Sequence, residues 1–442
     1  MEAWALIMLL AAVALLMLGY PVAFTLGAVA LLFGGVSLGL DFFNLLPLRI
    51  WGIMTNATLL AVPLFVLMGV ILEKSGLAEE LLETMGRLFG RLRGGMGVSI
   101  VLVGALLAAT TGVVGATVVT MAVIALPVML KHGYRAELAT GTIAAAGTLG
   151  QVIPPSIILV LLGDVVGVPV GRLFMAAVTP GLLLIVLYVV YVLVVAKLRP
   201  ESAPALVAEG DERVTPAAVL KSLLPPLLLV FAVLGSIFFG IASPTESAAV
   251  GALGAMLLAA AHRRLSLDNL RGAVLSTTRM TSMVFLILIG ATAFGLVFRG
   301  MGGDTLVKDF MTGLPGGETG FLLASMLVIF LLGFFLDFIE ICFIVVPILA
   351  PIAVYLGVDP LWFAVLIAVN LQTSFLTPPF GFSLFYLKAA APPEVRMQHV
   401  YRGIAPFVAI QLVTLLLLGL FPKLTLWLPD FMDRLQGLSG GG

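Results

Sequence analysis

The sequence has few charged residues. Only 10% of its 442 residues are Asp, Glu, Lys or Arg, whereas 61% are hydrophobic, and the mean hydropathy is +1.20. A soluble globular chain carries roughly 25% charged residues. Too little polar surface remains to cover a body in water, and this shortage excludes the class of soluble globular proteins. A lipid bilayer is the solvent that fits such a composition.

Residue types that carry chemistry are scarce as well. The single cysteine, Cys342, excludes an intrachain disulfide and is expected to be a small buried hydrophobe. No Gly-rich phosphate loop or catalytic cluster is present, and the histidines show no metal-ligand spacing; they are His132, His262 and His399. The 23 basic residues balance the 23 acidic ones, so nothing indicates a nucleic-acid partner. These absences predict a protein that is not an enzyme and has no cofactor.

Apolar segments recur along the whole chain instead. A helix needs about 20 apolar residues to cross a bilayer, and the chain has room for about ten crossings. The segment before Pro21 lacks a basic n-region and runs into another apolar segment. It therefore predicts a first transmembrane helix and not a cleaved signal peptide. The fold class predicted is an all-α polytopic membrane protein.

Several apolar segments are interrupted near their middle. The segment 96–130 breaks at Thr110–Gly115 into arms of about 13 residues, too short to cross, which predicts a re-entrant helical hairpin. A second hairpin is predicted over 321–355, and discontinuous helices over 137–162 and 361–387. The segment 73–94 is charged and amphipathic, which is typical of a helix along the membrane surface.

The chain is an internal repeat. Three sets of prolines, each in the same order of elements, are separated by 223 or 224 residues. They are Pro21 with Pro244, Pro127 with Pro351, and Pro154-Pro155 with Pro378-Pro379. We expect a first repeat over 1–196, a polar cytoplasmic linker over 197–216, and a second repeat over 217–442 that closes with a final helix over 404–428.

The charges indicate how the two repeats are oriented. Five full crossings separate the two turn prolines, and an odd number inverts the second repeat. With the N-terminus outside, 17 of the 23 basic residues lie on the inner face, as the positive-inside rule requires. The six on the outer face are Arg49, Arg172, Arg299, Lys308, Lys423 and Arg434.

Inverted repeats with broken helices indicate the binding site of a secondary transporter. A helix unwound by Gly and Pro frees carbonyls, which suit a small cation together with hydroxyl oxygens, while half-helix N-termini suit an anion. The candidate cation ligands of the first repeat are Thr110, Thr111, Gly112, Gly147, Gly150, Ile153 and Pro154. Those of the second repeat are Asp337, Glu340, Gln372, Thr373, Thr377 and Pro378. The candidate substrate contacts are Thr148, Ser156, Asn370 and Ser374.

Two acidic motifs have different expected roles. Asp337 and Glu340 interrupt an apolar run, where an unpaired carboxylate is costly. They either bias the site toward a cation, cap an exposed half-helix, or reach water at the hairpin tip. Glu246 follows Ser243 and Pro244 at the spacing of a capping box, which predicts a structural cap.

These motifs carry a family resemblance over nearly the whole chain. They are Gly19-Tyr20-Pro21, Gly147-Thr148-Leu149-Gly150 before Ile153-Pro154-Pro155-Ser156, Ser243-Pro244-Thr245-Glu246, Leu336-Asp337, and Thr377-Pro378-Pro379-Phe380-Gly381. In combination they resemble the large membrane subunit of a tripartite ATP-independent periplasmic (TRAP) transporter.

The resemblance implies a mechanism. A periplasmic binding protein would deliver a small organic anion to this subunit in the bacterial inner membrane. A sodium gradient would drive uptake, with sodium ions bound where each hairpin tip meets its broken helix. The hairpin-bearing part would move as an elevator against a scaffold of outer helices and a separate small four-helix subunit.

Two other functions remain open from the sequence. A stand-alone symporter of the divalent anion:sodium class would share the inverted hairpins and need no binding protein. A channel or membrane scaffold would pass substrate without coupling to sodium.

Overall fold

A computed structural model describes residues 2–111, 114–205, 216–435 and 437. This part of the chain folds into α-helices joined by short 3-10 turns and loops, without a β-strand. Among these residues, six helices are long and apolar enough to cross a membrane, or eight spans if two bent helix pairs are each counted as one. The predicted all-α polytopic membrane fold is confirmed.

The first half of the chain contains ten α-helices within the described residues. They are α1 Glu2–Met17, α2 Val22–Ser37, α3 Leu46–Met54, α4 Ala61–Lys74, α5 Leu77–Phe89, α6 Gly95–Thr111, α7 Val114–Lys131, α8 Ala136–Thr148, α9 Ile157–Val166 and α10 Val170–Leu198.

The second half contains eleven more in its described part. They are α11 Pro216–Phe238, α12 Pro244–Ala261, α13 Leu267–Gly300, α14 Gly303–Thr312, α15 Glu318–Leu332, α16 Phe338–Ile344, α17 Val346–Tyr355, α18 Pro360–Leu376, α19 Phe382–Ala390, α20 Met397–Leu420 and α21 Lys423–Leu435.

The interrupted segments have the predicted form. The arms of the first hairpin are α6 and α7, and the second hairpin consists of α15 followed by α16 and α17, which are bent by 53° at their junction. The two broken helices are α8 with α9 and α18 with α19. The amphipathic segment forms α5. Glu246 and Ser243 form the predicted capping box at the start of α12.

Some helix boundaries differ from the predicted ones. The final helix predicted over 404–428 is two helices, α20 and α21, because Pro422 lies between them and cannot continue α20. α13 runs from Leu267 to Gly300, and its polar first turns extend the helix beyond its apolar part. The predicted linker 197–216 includes residues outside the described part, and the division of the chain there stays a prediction.

The outer helices of each repeat pack on the outer helices of the other repeat. α2 packs on α13 of the second repeat, and α12 packs on α4 of the first. Each contact is close at a glycine. A Cβ on Gly290 would lie 2.5 Å from the carbonyl oxygen of Ala23, and one on Gly251 would lie 2.7 Å from the Met68 sulfur. We call α1 to α4 with α11 to α13 the scaffold, and α6 to α10 with α15 to α20 the hairpin body.

Candidate functional site

The two broken helices meet at equivalent positions of the two repeats. α8 ends at Thr148, and the Nε2 of Gln372 on α18 donates a hydrogen bond to the Thr148 hydroxyl at 3.4 Å. These two residues are 224 residues apart, the separation of the paired prolines. Both side chains are fully buried. The structure thus joins a residue predicted for the substrate to one predicted for the second cation site.

The first break exposes backbone oxygens within the protein. Few carbonyls between α8 and α9 accept a hydrogen bond. One that does is the Gln151 carbonyl, which accepts from the Ser156 hydroxyl at 3.2 Å. The carbonyls of Val152, Ile153 and Pro154 accept no hydrogen bond from a donor in the described part of the chain. Val152 is fully buried. A buried carbonyl without a partner is costly, so this break is suited to a cation or an ordered water.

Gln151 is a polar residue of this break that sequence reasoning did not select. Its side chain is fully buried, and neither its amide nitrogen nor its amide oxygen has a partner among the described residues. The equivalent position in the second repeat is Phe375, so a comparison of the two repeats does not identify Gln151 as a site residue. The available signal was its place inside the Gly147–Ser156 motif, where it is the longest polar side chain.

The glycines of the first site have packing roles as well. A Cβ on Gly147 would lie 2.4 Å from a methyl group of Val118, so this glycine lets α8 approach the hairpin arm α7. Gly150 lies in a buried 3-10 turn. Thr110 and Thr111 end α6, and Gly112 lies outside the described residues. The second arm of the first hairpin, α7, therefore lies against the broken helix of the first repeat.

The second break satisfies more of its own polar groups. The hydroxyls of Thr373 and Thr377 donate to the carbonyls four residues earlier, at 2.8 and 2.7 Å. Ser383 donates to the Phe375 carbonyl, and the Tyr401 hydroxyl donates to the carbonyl of Pro379. Pro378 is half-buried. The two breaks thus lie at equivalent positions of the repeats, but among the described residues the first leaves more oxygen atoms without a hydrogen-bond partner than the second.

Two predicted substrate contacts lie against the second hairpin. The amide of Asn370 donates to the Met326 carbonyl on α15 at 2.7 Å. Ser374 packs on Gly333, where an added Cβ would lie 2.1 Å from the serine hydroxyl. In this structure both residues tie α18 to α15.

Asp337 and Glu340 cap the short helix at the second hairpin tip. The Asp337 carboxylate accepts from the backbone N–H of Phe338 at 2.7 Å. The Glu340 carboxylate accepts from the N–H of Asp337 at 3.1 Å. Both side chains are half-buried. Of the roles left open by the sequence, capping is the one whose contacts are present.

A cleft of about 540 Å³ separates the scaffold from the hairpin body on the predicted outer side. It lies between α3 and α13 on one side and α9 and α16 on the other, and its lining includes Arg49 and Arg299. At one end the amide of Asn56 donates to the Asp164 carboxylate of α9 at 2.7 Å. None of the predicted site residues lines this cleft, so it is a boundary between two bodies and not the cation site.

Comparison with known proteins identifies the chain's relatives. A family model described as the DctM component of the tripartite ATP-independent periplasmic transporters matches residues 9–424. The chain is 32% identical to the C4-dicarboxylate TRAP transporter large permease protein DctM of Pseudomonas aeruginosa, covering 89% of this chain and 91% of the relative. It is 29% identical to the ectoine TRAP transporter large permease protein TeaC of Halomonas elongata, covering 97% and 99%.

A solved structure shares the fold. The YdaH transporter of Alcanivorax borkumensis superposes with a TM-score of 0.64 at 15% identity, covering 95% of this chain and 98% of that one. The relatives and the apolar helices together show a multi-pass protein of the inner membrane. The match over most of the chain, with the repeated broken helices, shows that the chain belongs to the DctM-component family, the large permeases of TRAP transporters.

Proposed function

We propose that this chain is the large permease of a sodium-coupled uptake system for a small organic anion, in which a periplasmic binding protein delivers the anion. The observation that carries the sodium assignment is the first break. The free carbonyls of 152–154 and the unpartnered amide oxygen of Gln151 supply several neutral oxygens within one largely buried stretch of four residues. Unwound carbonyls of this kind coordinate sodium ions in transporters.

The anion has a suitable place beside the cation. α9 and α19 both begin at a break, and neither N-terminal residue caps its helix with a side chain. The positive ends of these half-helices are therefore available to a carboxylate. Relatives named for C4-dicarboxylate and sialic acid support an organic acid as the substrate class.

The separation of the scaffold from the hairpin body supports an elevator motion. Both halves of the candidate site belong to the hairpin body, so the site would travel with it. The polar outer cleft gives this body room to move, and we propose that a separate small four-helix subunit enlarges the scaffold against which it slides.

Reconstitution tests the proposed function. Proteoliposomes would contain this chain with its small subunit, and the binding protein would be loaded with a labelled organic acid that it binds. We expect uptake only when an inward sodium gradient and the binding protein are both present. Uptake without the binding protein would favour a stand-alone symporter. Uptake down the substrate gradient that ignores sodium would favour a channel and contradict the proposal.

A further inference from the structure

A second cleft lies at the predicted inner face, away from both breaks. It measures about 540 Å³ and is formed by the start of α8, the end of α10 and the start of α20. Its lining includes three arginines, Arg135, Arg199 and Arg402, and one acidic residue, Glu137. We call it the inner cleft.

The chain that follows α10 closes one side of the inner cleft. The backbone N–H of Arg135 donates to the Ser202 carbonyl at 3.1 Å, and the N–H of Gly94 donates to the Ala203 carbonyl at 3.0 Å. Ser202 and Ala203 are buried. Because this segment is held by backbone hydrogen bonds, the end of α10 stays beside the start of α8, and the arginines at both places remain close to the cleft.

The charges of the inner cleft do not cancel. Arg135 pairs with Glu137 at 3.6 Å. Arg199 and Arg402 form no ion pair with any residue that the structure describes, and both are exposed to the cleft. Two guanidinium groups are thus left for an anion, and their planar geometry suits the oxygens of a phosphate.

The walls of the inner cleft are apolar and continue into the lipid-facing surface. Tyr191, Leu198 and Pro406 line it. The outward face of α10 next to it exposes Leu198 by 74% and Val194 by 46%. A ligand with a phosphate at one end and hydrocarbon at the other matches a cleft with arginines that continues into an apolar surface. Basic pockets between membrane helices at the cytoplasmic side bind the headgroups of anionic phospholipids.

We propose that the inner cleft binds an anionic phospholipid of the inner leaflet. Arg199 and Arg402 contact the headgroup phosphate, and the acyl chains lie along the apolar face of α10. A lipid with two phosphates, such as cardiolipin, engages both arginines at once. This site belongs to the hairpin body, so the lipid travels with that body, and its binding does not depend on which substrate the protein carries.

Thermal unfolding of the purified full chain in detergent tests the site, with cardiolipin, phosphatidylethanolamine or inorganic phosphate added. The test variant is Arg199→Gln with Arg402→Gln. The matched control is Arg271→Gln with Arg279→Gln, which removes two exposed arginines of α13 outside the cleft. We expect cardiolipin to raise the unfolding temperature of the unchanged protein and of the control.

Half-saturation by cardiolipin should require about 25-fold more lipid in the test variant, since each arginine contributes about fivefold to binding. Should that variant fail to fold, Arg402→Gln alone should shift half-saturation about fivefold. An equal loss in the control, an equal effect of phosphatidylethanolamine, or stabilisation by inorganic phosphate alone would each overturn the proposed lipid site.

Discussion

Gln151 and Gln411 are two fully buried glutamines. The side-chain amide of Gln151 lacks a partner among the described residues, whereas that of Gln411 lies beside the buried Tyr188 hydroxyl. Only Gln151 lies in a break, directly before the free carbonyls of residues 152–154. Gln411 lies within α20. Comparing variants of these two glutamines therefore distinguishes a role in binding the ion from the general effect of removing a buried amide.

We expect Gln151→Leu to weaken the response to sodium without weakening the fold. Replacing an unpartnered buried amide by an apolar group of similar size is close to neutral for the free energy of unfolding. The shift of unfolding temperature caused by sodium, relative to choline, should therefore shrink in Gln151→Leu. It should persist in Gln411→Leu, and a full sodium shift in Gln151→Leu would remove this residue from the site.

Asp337→Asn tests the charge at the second hairpin tip separately from the cap. Asn caps a helix about as well as Asp, so expression should be unchanged. The concentration of sodium that gives half-maximal uptake should rise about tenfold, since a bond to a charged group contributes about 1.5 kcal/mol or more.

The matched control for Asp337 is Asp359→Asn, at the N-cap of α18. There the carboxylate accepts from the Trp362 N–H at 2.9 Å. The control should leave uptake unchanged. Normal sodium dependence in Asp337→Asn would leave this residue with a capping role alone.

At the scale of helices, close backbone contacts hold the hairpin body together. α8 and α20 meet at Gly141 and Gly403, and a Cβ on Gly141 would lie 2.1 Å from the Gly403 carbonyl oxygen. Gly141 and the Gly403 carbonyl both belong to helical backbone. Neither can therefore move away from an added Cβ without displacing its helix. This contact keeps the start of the first broken helix against α20.

We expect Gly141→Ala to destabilise the fold by about 1 to 3 kcal/mol through overpacking. Gly27→Ala is the matched control, since Gly27 is also helical and a Cβ there meets nothing within 4 Å. That change should be neutral or raise stability by up to about 1 kcal/mol, through the better helix propensity of alanine. Equal unfolding temperatures for the two variants would contradict the close contact.

The elements that the sequence predicts best are those with local signals. Long apolar segments and their interruptions predict the hairpins and the broken helices, because hydrocarbon leaves the backbone few other conformations. The interruptions are Gly and Pro in the broken helices, Thr and Gly in the first hairpin, and Asp337 with Glu340 in the second. α3 and α14 were missed, since both are short and lie outside the long apolar segments.

The sequence predicts where the two breaks lie, but not which polar groups at the breaks are left without a partner. The paired prolines indicate where both breaks lie, and the repeat implies that they face each other. Which hydroxyls are already used within a helix, as those of Thr373 and Thr377 are, depends on side-chain rotamers that the sequence does not reveal. The same is true of Gln151, whose importance follows from the carbonyls that its neighbours leave free.

At the scale of the whole molecule, the central proposal is that the hairpin body moves past the scaffold and carries the site with it. The Asn56–Asp164 hydrogen bond joins the two bodies across the outer cleft at 2.7 Å. An elevator step must break this contact in every cycle, and a covalent bond at the same place should stop it.

Cross-linking these two positions is the most direct measurement. Asn56→Cys and Asp164→Cys would be combined in a Cys342→Ala background and reconstituted with the small subunit and the loaded binding protein. Each single cysteine variant, treated in the same way, serves as the control. We expect sodium-driven uptake to be lost on oxidation to the disulfide and restored by a reductant, with the single variants unaffected. Uptake that continues at its full rate while the two cysteines are bonded would contradict the motion of the hairpin body against the scaffold.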